Sequence, residues 1–599
     1  MEFAIKWMYS VDNELKTPYQ DNLATLMSTS DFRDIVSEDI IKRLELIRKY
    51  GNTATHSTVK YSKDEAALAL ENLFYFCDFI DYCYGTSEDS GVERTFNKDL
   101  LEQKTFGLIA PESKPDIALE KLIAENEALK SQLTARRQEQ EKTFVGPKPI
   151  EESEYSTRKI YINAMLRDVS WVEGKNWINE YPIKGMPLTS SDSGAADYVL
   201  FGDDGIPLAV IEAKKTSIEI SQGREQGKLY ADSLEKEFGR RPVIFLTNGF
   251  DTSIIDGDYP ERKVSNIYSK RDLEKQLNLK NAKISLKYAK IDDRISDRYY
   301  QKAAIESVCE VFQNKKRKAL LVMATGSGKT RTIISLVDLL IKNKWIKNVL
   351  FLADRNSLVT QAERAFLTLL PSTTITNLVT EKNKLNSRCV FSTYQTMINL
   401  IDDATDEYGN KLFSCGHFDL IIVDEAHRSI YKKYREIFTY FDSLLVGLTA
   451  TPKNEIDFNT YRMFDLENGI PTYGYELAQA VTDKYLVSYK SVESKLKFLE
   501  EGIVYDQLSD TEKEEYEEKF TDENDEIPDK IQNTALNNWV FNIDTIREVL
   551  HLLMTRGIRV DEGSKIGKTI ILPKVGAMLK KYIKSLDWNI PTCHRVFVK

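Results

Sequence analysis

An apolar hairpin pattern in this 599-residue chain closes on three charged residues. The stretch DYVLFGDDGIPLAVIEAKK, residues 197–215, begins at Asp197 and reaches Glu212 and Lys214 at the end of its second apolar run. Charged side chains are rarely buried unless something pairs with them, so carboxylates and an amine closing a buried strand ask for a partner. Side chains alternate along a strand, which sets Glu212 and Lys214 on one face. Reflection about a turn near Asp203 and Asp204 puts residue 195 opposite residue 212, and Asp197 within about one diagonal rung of Glu212. Two carboxylates and the backbone carbonyl of residue 213 form a hard-oxygen set suited to Mg²⁺. Such an ion generates and steers hydroxide against a phosphodiester, with Lys214 placing the water or stabilising developing charge.

A second constellation suits phosphates. MATGSGKT, Met323–Thr330, follows the apolar run KALLV and opens the helical pattern TRTIISLVDLL. A Gly-rich turn there aims backbone N–H groups at an anion, at the positive end of a helix dipole. Thr325, Gly326, Ser327 and Gly328 form the loop; Lys329 is placed to neutralise the β- and γ-phosphates of ATP, and Thr330 to bind Mg²⁺. Met323 stands where the strict GxxxxGK(S/T) pattern has its first glycine. Downstream, FDLIIVDEAH sets Asp424 and Glu425 at the end of an apolar strand pattern. Asp424 is placed to hold Mg²⁺ through water, and Glu425 to orient and polarise an attacking water.

The elements that must position these residues are of two kinds. From about 298 to 452, short apolar runs (KALLVMAT, NVLFLAD, RCVFSTYQ, FDLIIVDE, LLVGLTA) alternate with helical patterns, which predicts a doubly wound parallel sheet. From about 150 to 285, strand and helix patterns mix: the hairpin is followed by the helical QGREQGKLYADSL and the strand-like PVIFLTNG. Gln226 and Tyr230 fall on one face of that helix. Residues 1–108 carry apolar residues at three- and four-residue spacing, as in KDEAALALENLFYFCDFIDYCYG. In ALEKLIAENEALKSQLTARRQEQEK, residues Leu119, Leu122, Asn126, Leu129 and Leu133 fit heptad a and d positions, which predicts a helical linker.

The composition, 42% hydrophobic and 29% charged, is that of an ordinary soluble multidomain protein. The net charge of −10 leaves nucleic acid open as a partner, because a large chain can keep a basic channel inside an acidic whole. No apolar run approaches the roughly eighteen residues of a membrane span, and MEFAIKWMYSVDNELK lacks the features of a signal peptide. A cytoplasmic location with no membrane partner is expected. Six scattered cysteines without a CxxC pair read as reduced thiols. The acidic stretch LEEGIVYDQLSDTEKEEYEEKFTDENDE reads as a solvated helical surface.

The phosphate loop, the DEAH run, LTATP (Leu448–Pro452), RYYQKAAI (Arg298–Ile305), ADRNSL and STYQTM stand in the order seen in superfamily-two helicases and translocases, which this region resembles. The resemblance implies that Arg298 and Gln301 contact adenine and that His427, Thr449 and Thr451 couple hydrolysis to DNA movement. The hairpin resembles the PD-(D/E)XK nuclease core, with Asp197, Glu212 and Lys214 as signature residues. Hairpin, QxxxY helix and strand together resemble the nuclease domain of type I restriction R subunits. There Gln226 and Tyr230 support the metal site, and Glu154, on an upstream helical pattern, is either a further supporting residue or a helix cap. GKTII, within GSKIGKTIIL (Gly563–Leu572), resembles the opening strand of a second motor domain and is no phosphate loop. PTYGYELAQAVTDKYLV resembles the bridge into that domain.

A nuclease followed by such a motor resembles the R subunit of type I restriction–modification systems. The implied fold is α/β multidomain. It comprises an N-terminal helical domain (1–108, similar to the DUF4145 domain), a helical linker (109–147) and a PD-(D/E)XK-like domain (148–285). A first RecA-like motor domain (286–470) and a bridge with an incomplete second one (471–599) follow. The implied activity is ATP-dependent translocation of double-stranded DNA with Mg²⁺-dependent cleavage away from a recognition site. Modification (methylase) and specificity subunits are the implied partners. Because the Arg-bearing motifs of a second motor domain are missing from the sequence, the chain is expected to bind ATP but hydrolyse it poorly. Two alternatives stand beside this reading: a repair or defence helicase whose nuclease-like domain does not cut, and a non-catalytic remnant that docks to the other subunits.

Overall fold

The computed structural model describes most of residues 1–488, leaving out 19–22, 57–61, 87–91, 93, 103–118, 145–160, 185–193, 216–218, 382–386, 404–410, 427–429 and 453–459. Beyond residue 488 it describes 503–504, 513, 530–531, 551–563, 565–567 and 569. The chain divides into two compact units, Met1–Ser488 and Tyr489–Lys599. Among the described residues no helix is long and apolar enough to cross a membrane.

Among its described residues the first unit holds two sheets. One is built from β1 (Trp177–Ile183), β2 (Gly194–Phe201), β3 (Pro207–Ala213), β4 (Val243–Thr247), β5 (Thr252–Ile255) and β6 (Arg262–Val264), side by side in chain order. Its neighbours are antiparallel except β3 and β4, which run parallel. Every residue of β3 is buried. A strand covered on both faces tolerates a continuous apolar run, and PLAVIEA is one. The helix Arg224–Phe238 supplies part of that cover and stops at Gly239, whose φ of 73° gives the left-handed cap.

The second sheet is parallel throughout. It contains β7 (Lys318–Met323), β8 (Val349–Ala353), β9 (Ile375–Asn377), β10 (Cys389–Thr393), β11 (Leu420–Asp424), β12 (Leu444–Thr449) and β13 (Tyr473–Tyr475), in the order β13-β7-β12-β11-β8-β10-β9. The mixed α/β architecture with a parallel sheet agrees with the alternation in the sequence. The expected boundary at residue 470 is corrected: β13 pairs with β7 beyond it, so Tyr473–Tyr475 belongs to this sheet.

Strand alternation divides the parallel sheet's side chains between two cores. Leu321, Met323 and Phe351 pack with the helices Tyr299–Gln313, Lys329–Lys342 and Asn356–Leu369. Leu320, Val322, Ile421 and Val423 join a second core that also contains Tyr198, Leu200, Ala209 and Ile211 of the mixed sheet. One apolar core thus serves both sheets. A polar seam accompanies it. Asp442, two residues before β12, accepts from Arg262 Nε at 3.0 and 2.9 Å, pairs with Arg317 at 2.5 Å and bonds the Tyr268 hydroxyl. Lys275 donates to Gly416 O at 2.8 Å and pairs with Asp419 at 2.7 Å. Buried charges survive only when matched in this way.

The N-terminal helices Glu38–His56 and Lys63–Tyr84 pack on their own core. The second opens with a reciprocal capping box between Ser62 and Glu65, which satisfies two N–H groups at the helix start. The helix Leu119–Gln140 is not a separate linker. Its Leu133 enters that core, and buried Arg137 donates to Asp12 Oδ2 at 3.0 Å, an acceptor shared with Tyr84 at 2.8 Å. In the second unit Arg559–Val560 pairs with Lys565–Ile566. Lys568, Ile570 and Ile571 of GKTII lie outside the described residues.

Candidate active sites

The β2–β3 hairpin turns through Gly202–Ile206, where Gly205 has a φ of 73° and Asp204 Oδ1 accepts from Ile206 N at 3.0 Å. Arg240, just past the following helix, donates to Asp204 and to the carbonyls of Ile206 and Pro207, which fixes the turn. The strands pair Tyr198 with Ile211 and Leu200 with Ala209, with a bulge at Leu200/Phe201. One further step along this register brings Asp197 level with Glu212. Reflection about Asp203 and Asp204 puts residue 195 there; the bulge and the longer turn shift the pairing by two residues, which keeps the same face and brings the carboxylates closer.

Both carboxylates are buried, Asp197 at 8% and Glu212 at 2% exposure. They share a face with Val199 and Val210, against the helix Arg224–Phe238. Asp197 Oδ2 accepts from Ala213 N at 2.7 Å. Lys214 Nζ lies 2.6 Å from Glu212 Oε1 and 3.3 Å from Gln226 Oε1; Gln226 Nε2 then donates to the Tyr230 hydroxyl at 2.6 Å. Burial raises the Tyr230 pKa, and the charges of Glu212 and Asp197 add to the effect, against the Gln226 bond and Lys214. Asp197, Glu212, Lys214, Gln226 and Tyr230 therefore form one connected group. Glu154 lies outside the described residues.

Sequence reasoning missed Gly223. A Cβ there would stand 2.7 Å from Glu212 Cγ and 3.2 Å from Lys214 Cε, so only glycine lets the backbone pass this close. A lone glycine before a helix carries no signal of such contact. The donor set fits Mg²⁺, which takes one or two carboxylates and fills its remaining positions with water and substrate oxygens. Among the described residues no cluster of three or more His, Cys, Asp or Glu could hold a metal, so no all-protein cage competes with this site.

The phosphate loop joins β7 to the helix Lys329–Lys342. Gly326 and Gly328 have φ of 87° and 93°, and a Cβ on Gly328 would stand 2.5 Å from Gln301 Nε2. Gln301 donates to Ser327 O at 3.1 Å, and Arg298 Nη1 to the Tyr300 hydroxyl at 2.8 Å. Thr325 is exposed, while Lys329 and Thr330 are half-buried. Lys329 Nζ rests 3.3 Å from Met323 O. Asp424 closes β11, and Glu425, just past it, takes a φ of 55°, a strained conformation for a non-glycine residue of the kind functional sites retain. Burial pushes the Asp424 pKa up to about 6; Glu425 adds to the rise and Lys329 opposes it. Thr449 is buried, and its hydroxyl accepts from Thr451 N at 3.1 Å. His427 lies outside the described residues.

Known proteins share these segments. Residues 175–263 match the model described as the type I restriction enzyme R protein N terminus, and residues 294–454 match that of the type III restriction enzyme res subunit. The type I restriction enzyme EcoAI endonuclease subunit of Escherichia coli is 34% identical over 332 residues, covering 52% of this chain and 39% of that protein. The EcoKI endonuclease subunit of Escherichia coli K12 is 26% identical over 374 residues, covering 50% and 31%. The SsaAORF53P endonuclease subunit of Staphylococcus saprophyticus is 25% identical over 317 residues, covering 48% and 33%. The matches span about a third to two fifths of the length of these relatives. Over these segments the chain is similar to the R subunits of type I restriction enzymes.

Proposed function

We propose that this chain contributes the cutting and ATP-using chemistry of a type I restriction enzyme, acting on double-stranded DNA together with modification and specificity subunits in the cytoplasm. The observation that carries the cutting half is the level placement of Asp197 and Glu212 on β2 and β3, with Lys214 held between Glu212 and Gln226. Asp197, Glu212 and the carbonyl of Ala213 are the oxygens that would hold Mg²⁺ at this point of the sheet. Mg²⁺ bound there supplies a Lewis acid and a water of lowered pKa beside the phosphodiester. Lys214 carries a fixed positive charge to that point and can stabilise the charge that grows on the phosphate oxygens. Gln226 and Tyr230 hold the amine in place.

In the PD-(D/E)XK-like reading the mixed sheet is the nuclease core, and the parallel sheet is the first RecA-like motor domain. Backbone N–H groups of residues 325–330 cradle the phosphates of ATP, Lys329 neutralises them, and Thr330 and Asp424 hold the associated Mg²⁺. Glu425 orients the attacking water. Arg298 and Gln301 face the adenine, and His427, Thr449 and Thr451 couple hydrolysis to movement along DNA. Because one core joins the two sheets, movement of the motor domain carries the cutting site with it.

Nicking of supercoiled duplex by the chain assembled with its modification and specificity subunits tests the reading. Wild type should nick only with Mg²⁺, and Lys214→Ala should lose nicking while still binding ATP. Undiminished nicking by Lys214→Ala would overturn it.

A further inference from the structure

Tyrosines crowd the phosphate loop at Ser327, and phosphate binding explains none of them. Tyr300 donates to Ser327 O at 2.7 Å and stacks face to face on Tyr475, with ring centroids 3.9 Å apart and planes 8° apart. The Tyr475 hydroxyl donates to Asp483 at 2.9 Å, and the Tyr299 hydroxyl bonds the same carboxylate. Asp483 ends the helix Leu477–Thr482. The chain then turns sharply: Lys484 has a φ of 62°, and the N–H groups of Tyr485 and Leu486 both donate to Ala480 O at 3.0 Å.

That turn returns the chain to the loop. Leu486 Cδ2 stands 3.2 Å from where a Cβ would sit on Gly326. The Tyr485 ring meets Tyr300 edge-on at 5.2 Å and lies 5.1 Å from the guanidinium carbon of Arg298. Arg298 is thus held twice, by the Tyr300 hydroxyl and by the Tyr485 face. Tyr485 keeps 39% of its surface exposed, so its ring is only partly spent on core packing.

We propose that Tyr485 is a positioning residue for nucleotide selection: its ring fixes the plane of the Arg298 guanidinium beside Gln301, so that the purine of ATP meets an arginine already oriented for it. This deepens the ATP-site reading above and rests on it. An arginine free to sample its rotamers loses part of its binding energy to ordering, and a cation–π contact removes that loss. The triphosphate contacts assigned to residues 325–330 do not use the ring.

The test is equilibrium binding of a ribose-labelled fluorescent ATP analogue to the full chain with Mg²⁺, with unlabelled ATP, GTP and inorganic tripolyphosphate as competitors. Tyr485→Phe, which keeps the ring, should match wild type. Tyr485→Leu, which keeps bulk but not the π face, should bind ATP about 3–10-fold more weakly and lose ATP-over-GTP preference, with tripolyphosphate affinity unchanged. ATP binding by Tyr485→Leu at wild-type strength overturns the proposal. So does equal weakening of ATP and tripolyphosphate, which marks a packing role. If wild type binds neither ATP nor tripolyphosphate, the ATP site itself fails and the proposal falls with it.

Discussion

Asp197 stands level with Glu212 across the β2–β3 ladder, and its Oδ2 accepts a hydrogen bond from the N–H of Ala213, the residue after Glu212. Two carboxylates are thereby held on one buried face. Asp197→Asn keeps an oxygen for the Ala213 N–H but removes the charge. It is expected to leave thermal stability within about 1 kcal/mol of wild type and to abolish Mg²⁺-dependent nicking. Thermal melting and a nicking assay on the same preparation check both halves.

Gly223 packs against the working side chains more tightly than any Cβ allows. Gly223→Ala pushes Glu212 Cγ and Lys214 Cε from positions 2.7 and 3.2 Å away from the new atom. The expected outcome is a loss of nicking with ATP affinity preserved, and destabilisation of about 1–3 kcal/mol from overpacking. A chemical denaturation curve alongside the nicking rate separates the two effects. Full activity in the variant would mean that the site tolerates displacement of Glu212.

Asp442 answers Arg262 and Tyr268 from the mixed sheet's side of the shared core and Arg317, the residue before β7, from the parallel sheet's side. Burial works to raise its pKa, but Arg317 and Arg262 outweigh it and hold the carboxylate below its ordinary value. Asp442→Ala removes the carboxylate that pairs with Arg317 and leaves Arg262 to Asp256, and breaking a buried pair in this way costs about 3–5 kcal/mol. ATP binding and nicking should fall together on heating, because one core serves both sheets. Separate melting of the two activities would contradict this.

His417 accepts from Arg271 Nη2 through Nδ1 at 2.9 Å, so it works as a neutral ring. Burial lowers its pKa well below 6.5, and the charges of Lys275 and Arg271 push the same way. The unfolded chain therefore takes up a proton first as pH falls, and the stability His417 contributes is full above about pH 6.5 and declines below it. Melting temperature should drop between pH 6.5 and about 5 more steeply in wild type than in His417→Gln. Parallel profiles would exclude a contribution from this ring.

The parts of this molecule that sequence revealed are those set by local chemistry. Gly326, Gly328 and Lys329 are legible because a turn with φ near 90° at two positions demands glycine at fixed spacing. Asp197, Glu212 and Lys214 are legible because charges interrupt a buried apolar pattern. Their register was not, since the bulge at Leu200/Phe201 leaves no mark in composition. Asp442 with Arg262, Tyr485 with Arg298, and Arg137 with Asp12 are joined across more than a hundred residues, and nothing local to either member announces the other. Leu133 shows the same limit: its heptad position suited a linker, but tertiary packing decided its place.

The central claim is that Asp197 and Glu212 together hold one divalent cation. Mn²⁺ titration of the full chain, followed by electron paramagnetic resonance with duplex DNA present, measures it directly in a Thr330→Ala, Asp424→Asn background that removes the second candidate site. One bound Mn²⁺ that disappears in Glu212→Gln is the predicted result. Binding that persists unchanged when both Asp197 and Glu212 are replaced by their amides would contradict the account.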